Sequence, residues 1–243
     1  MKMKKYGLIG KTLSHSFSKL FFEDFFRKNQ IDAKYFNIEL NNIDEIDKLF
    51  TSHYNGLNVT IPFKEKIIPF LDELSEEANS VGAVNTIQFK SGKKIGYNTD
   101  IFGFKNSVKP FITNRHERAV IFGTGGSSKA VNFVLNSIGI DVIFISRNPK
   151  NENEFSYNNI NEDMINSCKM LVNCTPIGTY PNIDEQFNLP YNHLSEDHLV
   201  VDLTYNPSKT ILLKKAEEKG AVILNGYTML KEQALKSWSI WNS

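Results

Sequence analysis

A strand-like segment that ends in a glycine cluster constrains the fold of this chain more than any other feature of its sequence. The apolar run Ala119-Val-Ile-Phe122 is typical of a buried parallel strand, and Gly123, Gly125 and Gly126 follow it directly. The residues from Ser128 to Ile138 then predict a helix. Glycine lets such a turn bend tightly and approach a pyrophosphate with no Cβ in the way, and the helix directs its positive end at the phosphates. The segment therefore predicts a dinucleotide-binding site.

The end of the next strand bears on the choice of cofactor. This strand, predicted over Val142 to Ile145, is followed by Ser146 and Arg147. NAD-dependent enzymes usually carry Asp or Glu about 20 residues after the glycines, where it binds the ribose hydroxyls. No acid lies here, and Arg147, with Lys150 nearby, can pair with a 2′-phosphate, so the sequence favours NADP. Two alternatives stay open: the glycine turn is only structural, because Ser128 occupies the third position of the G-x-G-x-x-G template, or Arg147 is a solvated loop residue.

The second half of the chain predicts a small doubly wound sheet. Three more buried-type strands follow, whereas the polar stretch Asn148 to Tyr157 has no helical stripe and predicts a loop. These strands are predicted over Met170 to Asn173, Leu199 to Asp202 and Val222 to Leu224. A run of buried strands after a glycine turn is typical of a Rossmann-like domain.

The first half alternates strands with helices, which favours a second α/β layer structure. Its strands are predicted over Tyr6 to Ile9, Tyr35 to Glu39, Gly56 to Val59, Ala83 to Phe89 and Lys94 to Tyr97, and its helices over Ser16 to Lys28, Ile43 to Phe50 and Ile101 to Val108. The amphipathic segment Met229 to Trp241 predicts a last helix that can return to this half. We therefore expect an N-terminal α/β substrate domain, residues 1–101 joined by a C-terminal helix at 228–243, and a Rossmann-like dinucleotide-binding domain, residues 102–227.

Composition and charge exclude several classes of function. The net charge of +1 gives no basic field for nucleic acid, and no apolar run approaches the roughly 20 residues that a membrane helix requires. The five histidines show no paired spacing, so no metal site is expected. Cys168 and Cys174 form neither a disulfide framework nor a C-x-x-C pair, and they are interpreted as buried thiols in a reducing cytoplasm. These features favour a cytoplasmic protein that acts on small molecules.

Four compact polar motifs lie at the ends of strands in the first half. They are Leu13-Ser-His-Ser-Phe17, Asn58-Val-Thr-Ile-Pro-Phe-Lys64, Gly82-Ala-Val-Asn-Thr86 and Asn98-Thr-Asp100. Small hydroxyls, amides, one lysine and one aspartate suit a polyhydroxylated ligand with a carboxylate, because each hydroxyl needs a donor and an acceptor nearby. Together with a dinucleotide site, the motifs predict an oxidoreductase that passes a hydride between a nicotinamide and a small hydroxylated acid.

These motifs, in this order and followed by Gly-Thr-Gly-Gly-Ser-Ser, closely resemble the shikimate dehydrogenase family. The resemblance continues through Asn173-Cys-Thr-Pro-Ile-Gly178, Asp202-Leu-Thr-Tyr205 and the segment from Gly226 to Gln233, so it covers essentially the whole chain. It implies reversible, NADPH-dependent reduction of 3-dehydroshikimate to shikimate in aromatic amino-acid biosynthesis.

The resemblance also implies a role for each matching residue. Lys64 and Asp100 are implied to be the catalytic pair at the reacting oxygen, with Lys64 as the acid/base and Asp100 as its partner. Substrate binding is implied for Ser14, Ser16, Thr60, Asn85, Asp100, Tyr205 and Gln233. Cofactor binding is implied for Gly123, Thr124, Gly125, Gly126, Ser127, Ser128, Ser146, Arg147, Thr175, Leu203, Gly226, Met229 and Glu76. The sequence predicts two pockets that face each other, so that a lysine lies at the carbon that changes oxidation state.

Plainer interpretations of the same residues stay open. Lys64 can be a surface lysine at a helix start, and Asp100 can cap the helix predicted from Ile101. Ser14 or Ser16 can cap the helix near Phe17, and His15 is interpreted as structural. The aromatic stripe Phe21, Phe22, Phe25 and Phe26 is interpreted as core, with part of it available to the subunit contact of a homodimer.

The chain also departs from the family pattern. Gly10-Lys-Thr12 stands where an Asn-Pro-type turn is common, Ile101 where glycine is usual, and Lys129 where arginine often follows the glycines. The region after Arg147 lacks the helix that many members have, which bears on NADP selectivity. The alternatives are therefore a quinate/shikimate dehydrogenase with relaxed substrate choice or NAD use, and a nucleotide-sensing module without turnover.

Overall fold

The computed structural model of the protein describes residues 3–14 and 16–243, so His15 lies outside the described residues. The chain divides into two compact units. Unit 1 comprises Met1–Gly103 and Leu230–Ser243, and unit 2 comprises Phe104–Met229. Both boundaries fall inside helices, those that span Asp100–Val108 and Tyr227–Trp241.

The elements follow one another as an α/β alternation. The strands are β1 (Lys4–Gly10), β2 (Ala33–Glu39), β3 (Gly56–Val59), β4 (Glu73–Leu74), β5 (Thr86–Lys90), β6 (Lys93–Tyr97), β7 (Arg118–Phe122), β8 (Asp141–Ile145), β9 (Glu154–Phe155), β10 (Met170–Asn173), β11 (Leu199–Asp202) and β12 (Val222–Asn225). The helices are α1 (Phe17–Lys28), α2 (Ile46–Phe50), α3 (Glu76–Val81), α4 (Asp100–Val108), α5 (Gly126–Ser137), α6 (Glu162–Ser167), α7 (Ile211–Glu217) and α8 (Tyr227–Trp241).

Unit 1 is a mixed six-stranded sheet in the order β2-β1-β3-β5-β6-β4, buried on both faces of its central strands. β1 pairs in parallel with β2 and β3, and β5 runs antiparallel to β3 and β6. Successive residues of a strand face opposite sides of the sheet, so Leu8 packs with the aromatic side chains of α1 and α8, and Ile9 packs into a separate aliphatic cluster with Leu57 and Ile87.

The end of α8 is anchored in this sheet by Trp241. Its indole Nε1 donates to the Ile87 carbonyl at 3.0 Å, and its ring stacks on Tyr6 with 4.8 Å between centroids. A Cβ at Gly56 would overlap the indole ring, which explains the glycine at the start of β3. These contacts hold α8, and the side chains it carries, against the strands that end in the polar motifs.

Unit 2 is an all-parallel, doubly wound sheet in the order β12-β11-β10-β7-β8-β9. Its central strands β7, β10 and β11 are almost entirely buried, as their continuous apolar runs predict. The chain runs outward from β7 to β9 and then returns to β10 on the other side of β7. The topological switch point therefore lies between β7 and β10, where doubly wound sheets bind their ligands. The predicted α/β class, with a Rossmann-like second half, is confirmed.

Several local predictions need correction. The strand predicted from Ala83 begins only at Thr86, and α3, α6 and α7 were not predicted. α3 and α6 have six residues each, too few for a clear helical stripe. The stretch Asn148 to Tyr157, every residue of which the structure describes, contains no α-helix, and only its last residue enters a short 3-10 helix at Tyr157–Asn159. It contributes the two-residue strand β9 to the sheet edge.

Membrane-spanning helices and metal-binding clusters are both absent from the described residues. None of their helices is long and apolar enough to cross a membrane. Nor do three or more His, Cys, Asp or Glu side chains among them converge in an arrangement that could hold a metal ion.

Candidate active site

A buried ion pair joins two of the polar motifs of unit 1. Lys64 Nζ lies 2.6 Å from Asp100 Oδ2, and the two side chains are only 11% and 8% exposed. Lys64 follows β3 in a turn anchored by the buried side chains of Phe63 and Ile67, and its carbonyl accepts from the Val84 N–H at 2.7 Å. The interpretation of Lys64 as a surface lysine is therefore wrong.

Asp100 is held by side chains on both of its carboxylate oxygens. Oδ2 pairs with Lys64, and Oδ1 accepts from Asn85 Nδ2 at 2.9 Å. Asp100 is the first residue of α4, not the residue that precedes it, and the Ile101 N–H is bonded to the Asn98 side chain at 3.4 Å. The interpretation of Asp100 as a helix cap is wrong, because α4 begins at Asp100 itself and the Thr99 carbonyl accepts its first bond, from the Gly103 N–H at 3.0 Å.

The orientation of the Asn85 amide is determined by its neighbours. Its Oδ1 accepts from the Thr99 N–H at 2.7 Å and lies 3.1 Å from the Thr99 hydroxyl. Since a backbone N–H can only donate, the amide oxygen must face Thr99 and the amide nitrogen must face Asp100. Asn85 Nδ2 also lies 3.5 Å from Gln233 Oε1, so three of the predicted site residues meet Lys64 in one cluster.

A buried polar network that was not predicted from the sequence adjoins this cluster. Ser237 Oγ lies 2.7 Å from Thr86 Oγ1 and 3.0 Å from Asn58 Nδ2, and Asn58 Nδ2 also donates to the Asn85 carbonyl at 3.1 Å. The Tyr35 hydroxyl donates to Asn58 Oδ1 at 2.7 Å. All five residues are buried, so each of these bonds forms away from water.

A sequence signal for part of this network existed. Ser237 lies four residues after Gln233 and therefore on the same face of α8, and its hydroxyl donates to the Gln233 carbonyl at 2.9 Å. Asn58 and Thr86 are polar residues inside otherwise apolar strands, which marks them as candidates for internal hydrogen bonding.

Leu13, the first residue of the serine motif, is anchored by polar side chains of β2. The Leu13 N–H donates to Glu39 Oε1 at 2.6 Å, and Asn37 Nδ2 donates to the Leu13 carbonyl at 2.8 Å. Ser14 is exposed, while Ser16 is half-buried and caps α1 by accepting from the Lys19 N–H at 3.4 Å. The capping interpretation of Ser16 is confirmed.

Thr60 is the third residue of the motif Asn58 to Lys64. It follows β3 directly, is half-buried, and donates its N–H to the Ile9 carbonyl at 2.8 Å. Its carbonyl accepts from the Phe63 N–H at 2.9 Å, so the turn that leads to Lys64 begins at Thr60.

In unit 2, the glycine turn separates β7 from α5. Gly123 has a φ of +99°, a conformation that favours glycine, and its N–H donates to the Ile145 carbonyl at 2.8 Å. Gly125 precedes α5, and an ideal Cβ built on it would have no protein atom within 4 Å. Nothing in the protein requires glycine at 125, so its absent side chain leaves open space that a ligand can enter. This is the space a pyrophosphate needs, and the turn fits a dinucleotide.

Ser128 explains the departure from the glycine template. It is fully buried, and its hydroxyl donates to the Gly125 carbonyl at 2.6 Å. The third glycine of the template serves close packing of helix and strand, and a buried serine bonded to its own turn serves the same purpose. The N-terminal end of α5 lies at the glycine turn. The Lys129 N–H donates to the Gly125 carbonyl at 3.1 Å.

The other predicted cofactor residues follow the neighbouring parallel strands. Thr175 follows β10, and its Cγ2 would lie 3.0 Å from an ideal Cβ on Gly123. Leu203 follows β11, and a Cβ at Gly226 after β12 would overlap the Leu203 carbonyl, so this close approach requires glycine. Met229 is buried in the same unit. These residues belong to the carboxyl edge of the sheet, where Thr175 and Gly123 flank the switch point.

Ser146 and Arg147 follow β8, the strand on the other side of β7 from β10. Ser146 is buried, and its Oγ accepts from the Asn148 N–H at 3.2 Å. Arg147 is exposed. Burial raises the pKa of the Tyr157 hydroxyl, and the Arg147 guanidinium acts in the opposite direction, which places its charge near that ring.

Two residues with a predicted role lie in a different unit from most of the residues predicted to share that role. Tyr205, predicted to bind substrate, is half-buried in unit 2 after β11. Glu76, predicted to bind the cofactor, is exposed in unit 1, where it lies in the first turn of α3. An acidic residue at that position stabilises the helix, so Glu76 has a local structural explanation.

The fold and these two sites define a dinucleotide-dependent dehydrogenase with a separate substrate-binding unit. Residues 8–87 match the family model described as the shikimate dehydrogenase substrate binding domain. The chain is 38% identical to the shikimate dehydrogenase (NADP(+)) of Aquifex aeolicus, over 98% of this chain and 90% of that protein. It belongs to the shikimate dehydrogenase family.

Solved structures agree with this assignment. A crystal structure of shikimate dehydrogenase from Aquifex aeolicus superposes with a TM-score of 0.87 at 36% identity, covering 99% of this chain and 92% of that chain. A shikimate dehydrogenase in complex with NADP+ superposes with a TM-score of 0.86 at 33% identity, covering 99% of this chain and 90% of that chain.

Proposed function

We propose that this protein catalyses the reversible, NADP-dependent interconversion of 3-dehydroshikimate and shikimate, a step of aromatic amino-acid biosynthesis. The observation that carries the proposal is the buried Lys64–Asp100 pair, whose far carboxylate oxygen is bonded to Asn85. A buried ion pair contributes little to stability as a rule, whereas an ammonium in a protected site is suited to proton transfer.

The chemistry assigned to Lys64 follows from charge. NADPH, when bound, supplies the hydride that reduces the ring ketone. As the ketone carbon gains that hydride, negative charge develops on its oxygen, and the Lys64 ammonium stabilises this charge and donates the proton that completes the hydroxyl group. In the reverse direction neutral Lys64 accepts the hydroxyl proton. Asp100 orients the ammonium through Oδ2, and Asn85 keeps the carboxylate from rotating.

Substrate recognition is assigned to the polar side chains around this pair. Ser14 and Ser16 are proposed to donate hydroxyls to the substrate carboxylate. Thr60, Asn85, Gln233 and Tyr205 are proposed to bind the ring hydroxyls, together with Asp100. Asn85 and Gln233 support this assignment best, because they already lie within hydrogen-bonding reach of each other beside Asp100.

Cofactor binding is assigned to the carboxyl edge of the unit 2 sheet. Residues Gly123 to Ser128 are proposed to bind the pyrophosphate, supported by the open space at Gly125. Ser146 and Arg147 are proposed to bind the 2′-phosphate, and Thr175, Leu203, Gly226 and Met229 the nicotinamide half. Glu76 stays a prediction without structural support, since its position in the first turn of α3 accounts for it.

The proposed sites assign one domain of the chain to the substrate and the other to NADP. Residues 1–101 with 228–243 are proposed as the substrate domain and residues 102–227 as the NADP domain. A cytoplasmic homodimer is also proposed. The compartment is supported by Cys168, which is buried, and Cys174, which is half-buried, because the two form no disulfide. The dimer stays a prediction from the aromatic stripe of α1.

The experiment that tests the proposal is absorbance in the NADPH band during incubation of the protein with shikimate and NADP+. We expect absorbance to rise with shikimate and to stay flat without it. Parallel reactions with quinate, and with NAD+, separate this function from a quinate/shikimate dehydrogenase of relaxed choice. Binding of NADPH without any turnover of either acid would contradict the proposal and favour a nucleotide-sensing module.

Arg147 provides the test of cofactor choice. Arg147→Gln removes the charge that is proposed to pair with the 2′-phosphate, so we expect the KM for NADP+ to rise about tenfold, the loss typical of one charge-assisted hydrogen bond. The KM for NAD+, which lacks that phosphate, serves as the internal control and should not change. An equal KM for NADP+ in both proteins would identify Arg147 as a solvated loop residue.

A further inference from the structure

Asp202, the last residue of β11, is a fully buried carboxylate that the proposed chemistry does not use. Its Oδ1 accepts from Asn173 Nδ2 at 3.0 Å and from the Thr204 N–H at 2.9 Å, and its Oδ2 accepts from the Thr210 hydroxyl at 2.7 Å. Burial raises the pKa of this carboxyl, and the hydrogen bonds from Thr210, Thr204 and Asn173 act in the opposite direction. A buried carboxylate is costly unless its donors are in place, so this arrangement calls for an explanation beyond packing.

The first partner of Asp202 leads toward the cofactor site. Asn173 is fully buried at the end of β10 and pairs in register with Asp202. Because its Nδ2 donates to Asp202, its Oδ1 faces the following segment, where it accepts from the Thr175 N–H at 2.8 Å and the Thr175 hydroxyl at 2.7 Å. A backbone N–H can only donate and a carboxylate can only accept, so this amide has a single compatible orientation.

Thr175, which Asn173 holds by these two bonds, lies against the glycine turn. The Cys174 N–H donates to the Phe122 carbonyl at 2.9 Å, and the Thr175 methyl group would lie 3.0 Å from a Cβ on Gly123. The same connection is reinforced further along the chain, where the Thr204 and Thr179 hydroxyls lie 2.8 Å apart. The segment after β10 is therefore attached to the end of β11 at several points, and Asp202 accepts the innermost of these bonds.

We propose that Asp202 is a positioning residue for the dinucleotide: acting through Asn173, it holds Thr175 beside Gly123 in the geometry that the nicotinamide half requires. The inference rests on the proposed function, in which Thr175 contacts that half of the cofactor. Ser146 and Arg147 follow β8, which lies on the far side of β7 from β10. Loss of Asp202 therefore affects the part of the dinucleotide that NADP and NAD share, whereas loss of Arg147 affects the 2′-phosphate alone.

The experiment compares Asp202→Asn with the unaltered protein by fluorescence titration of NADPH and NADH in the absence of substrate. We expect both dissociation constants to rise by the same factor, about tenfold, as for loss of a hydrogen bond to a charged group. The dissociation constant for shikimate should not change. The control is Asp197→Asn, the same substitution two residues before β11 begins. Asp197 pairs with Arg115 on the surface, so this variant should leave all three dissociation constants unchanged.

A double-mutant cycle with Asn173→Ala tests whether Asp202 acts through Asn173. If it does, the double variant binds NADPH no more weakly than Asn173→Ala alone, because the second substitution removes a bond that no longer reaches Thr175. Additive losses, an unchanged NADPH dissociation constant in Asp202→Asn, or a loss confined to NADPH would each overturn the inference.

A second pair of variants covers the case in which Asp202→Asn does not fold. Thr210→Val removes the hydroxyl donor to Oδ2 without touching Asn173, and Thr210→Ser keeps it. NADPH and NADH binding should weaken about threefold in the valine variant and be unaffected in the serine variant; equal binding in the two would overturn the inference. Because these titrations contain no substrate, an unaltered protein that fails to oxidise shikimate would count against the proposed function alone.

Discussion

Lys64 Nζ and Asp100 Oδ2 lie 2.6 Å apart, in a pair that is almost entirely shielded from solvent. The two residues are separated by 36 positions, and each is brought to the pair by a strand that ends nearby, β3 for Lys64 and β6 for Asp100. Asn85, which precedes β5, binds the remaining carboxylate oxygen. Three strands of one sheet thus fix the relative position of an ammonium and the carboxylate that orients it.

The role of Asp100 predicts the effect of removing its charge. In Asp100→Asn the shape is kept, but Lys64 loses its counter-charge and the group that orients it. We expect kcat to fall by about 10²-fold or more, a range typical of a lost acid–base arrangement. Shikimate and NADPH dissociation constants, measured separately, should change much less. Asp47→Asn, an exposed position in the same unit, is the control, and a kcat as high as that of this control would contradict the role of Asp100.

The buried network beneath the pair predicts an effect of Ser237. Ser237→Ala removes the hydroxyl that contacts both Thr86 and Asn58, which together hold Asn85. We expect kcat to fall several-fold with an unchanged KM for NADP+, and the free energy of unfolding to fall by ~1–3 kcal/mol because buried donors lose a partner. Ser239→Ala, two residues along α8 on its exposed side, should match the unaltered protein. Equal kcat values for the two variants would show that the network serves stability alone.

The open space at Gly125 predicts that stability and binding separate. The residue has a φ of −85°, which alanine adopts without strain, and no protein atom would touch the new Cβ. Gly125→Ala should therefore leave the free energy of unfolding unchanged or raise it by up to ~1 kcal/mol. The Cβ would occupy the space assigned to the pyrophosphate, so NADPH affinity should fall at least tenfold.

The matched control for that prediction is Gly226→Ala, where a Cβ would overlap the Leu203 carbonyl. This variant should lose stability as well as binding, because the backbone itself must move. If Gly125→Ala bound NADPH with full affinity, the glycine turn would not be the pyrophosphate site.

Two buried histidines predict how stability depends on pH. His198 Nδ1 accepts from the Ser195 N–H at 3.0 Å, and His116 Nδ1 accepts from the Thr113 N–H at 3.0 Å, so both rings are bonded as neutral imidazoles. Burial is the largest cause that lowers the pKa of each ring, and for His116 the nearby His198 acts in the same direction. Protonation of Nδ1 would direct a new ring N–H at the backbone N–H of Ser195 in one case and of Thr113 in the other.

The direction in which stability changes with pH follows from the linkage of proton binding to folding. Because the folded-state pKa of each ring is lowered, the unfolded chain binds these protons first, and stability falls as the pH drops through the unfolded value of ~6.5. We expect the Tm to decrease between about pH 7.5 and about pH 5.5. His198→Gln should reduce that decrease, while His53→Asn, at an exposed position with a φ of +52°, should not. A Tm that is independent of pH over this range would show that the pKa of each ring is the same in the folded and unfolded states.

Much of the architecture was predictable because it depends on local patterns. Apolar runs such as Ala119 to Phe122 predict buried parallel strands without knowledge of their neighbours, and the glycine turn after them predicts the switch point. The residues that meet in the Lys64 cluster were predicted from a resemblance to a family. Charge and spacing by themselves left Lys64 as a surface residue and Asp100 as a helix cap.

The buried networks could not be predicted in the same way. Asn58 and Ser237 are 179 residues apart, and nothing in either segment indicates the other. Asp202 and Asn173 lie in two motifs far apart in the sequence, and only the pairing of β10 with β11 brings them together. The helices α3 and α6 were not predicted because six residues are too few for a clear helical stripe. The helix α7 could have been predicted, because a capping residue, Thr210, is followed by an apolar stripe of Leu212, Leu213 and Ala216.

The central claim, that Lys64 exchanges the proton at the reacting oxygen, is tested most directly by Lys64→Ala beside Lys66→Ala, an exposed lysine two residues away. Turnover of shikimate with NADP+ is measured together with the dissociation constants for shikimate and NADPH. The account predicts that kcat falls by about 10²- to 10⁴-fold in Lys64→Ala alone, with both dissociation constants within several-fold of the unaltered protein. A near-normal kcat in Lys64→Ala would contradict it.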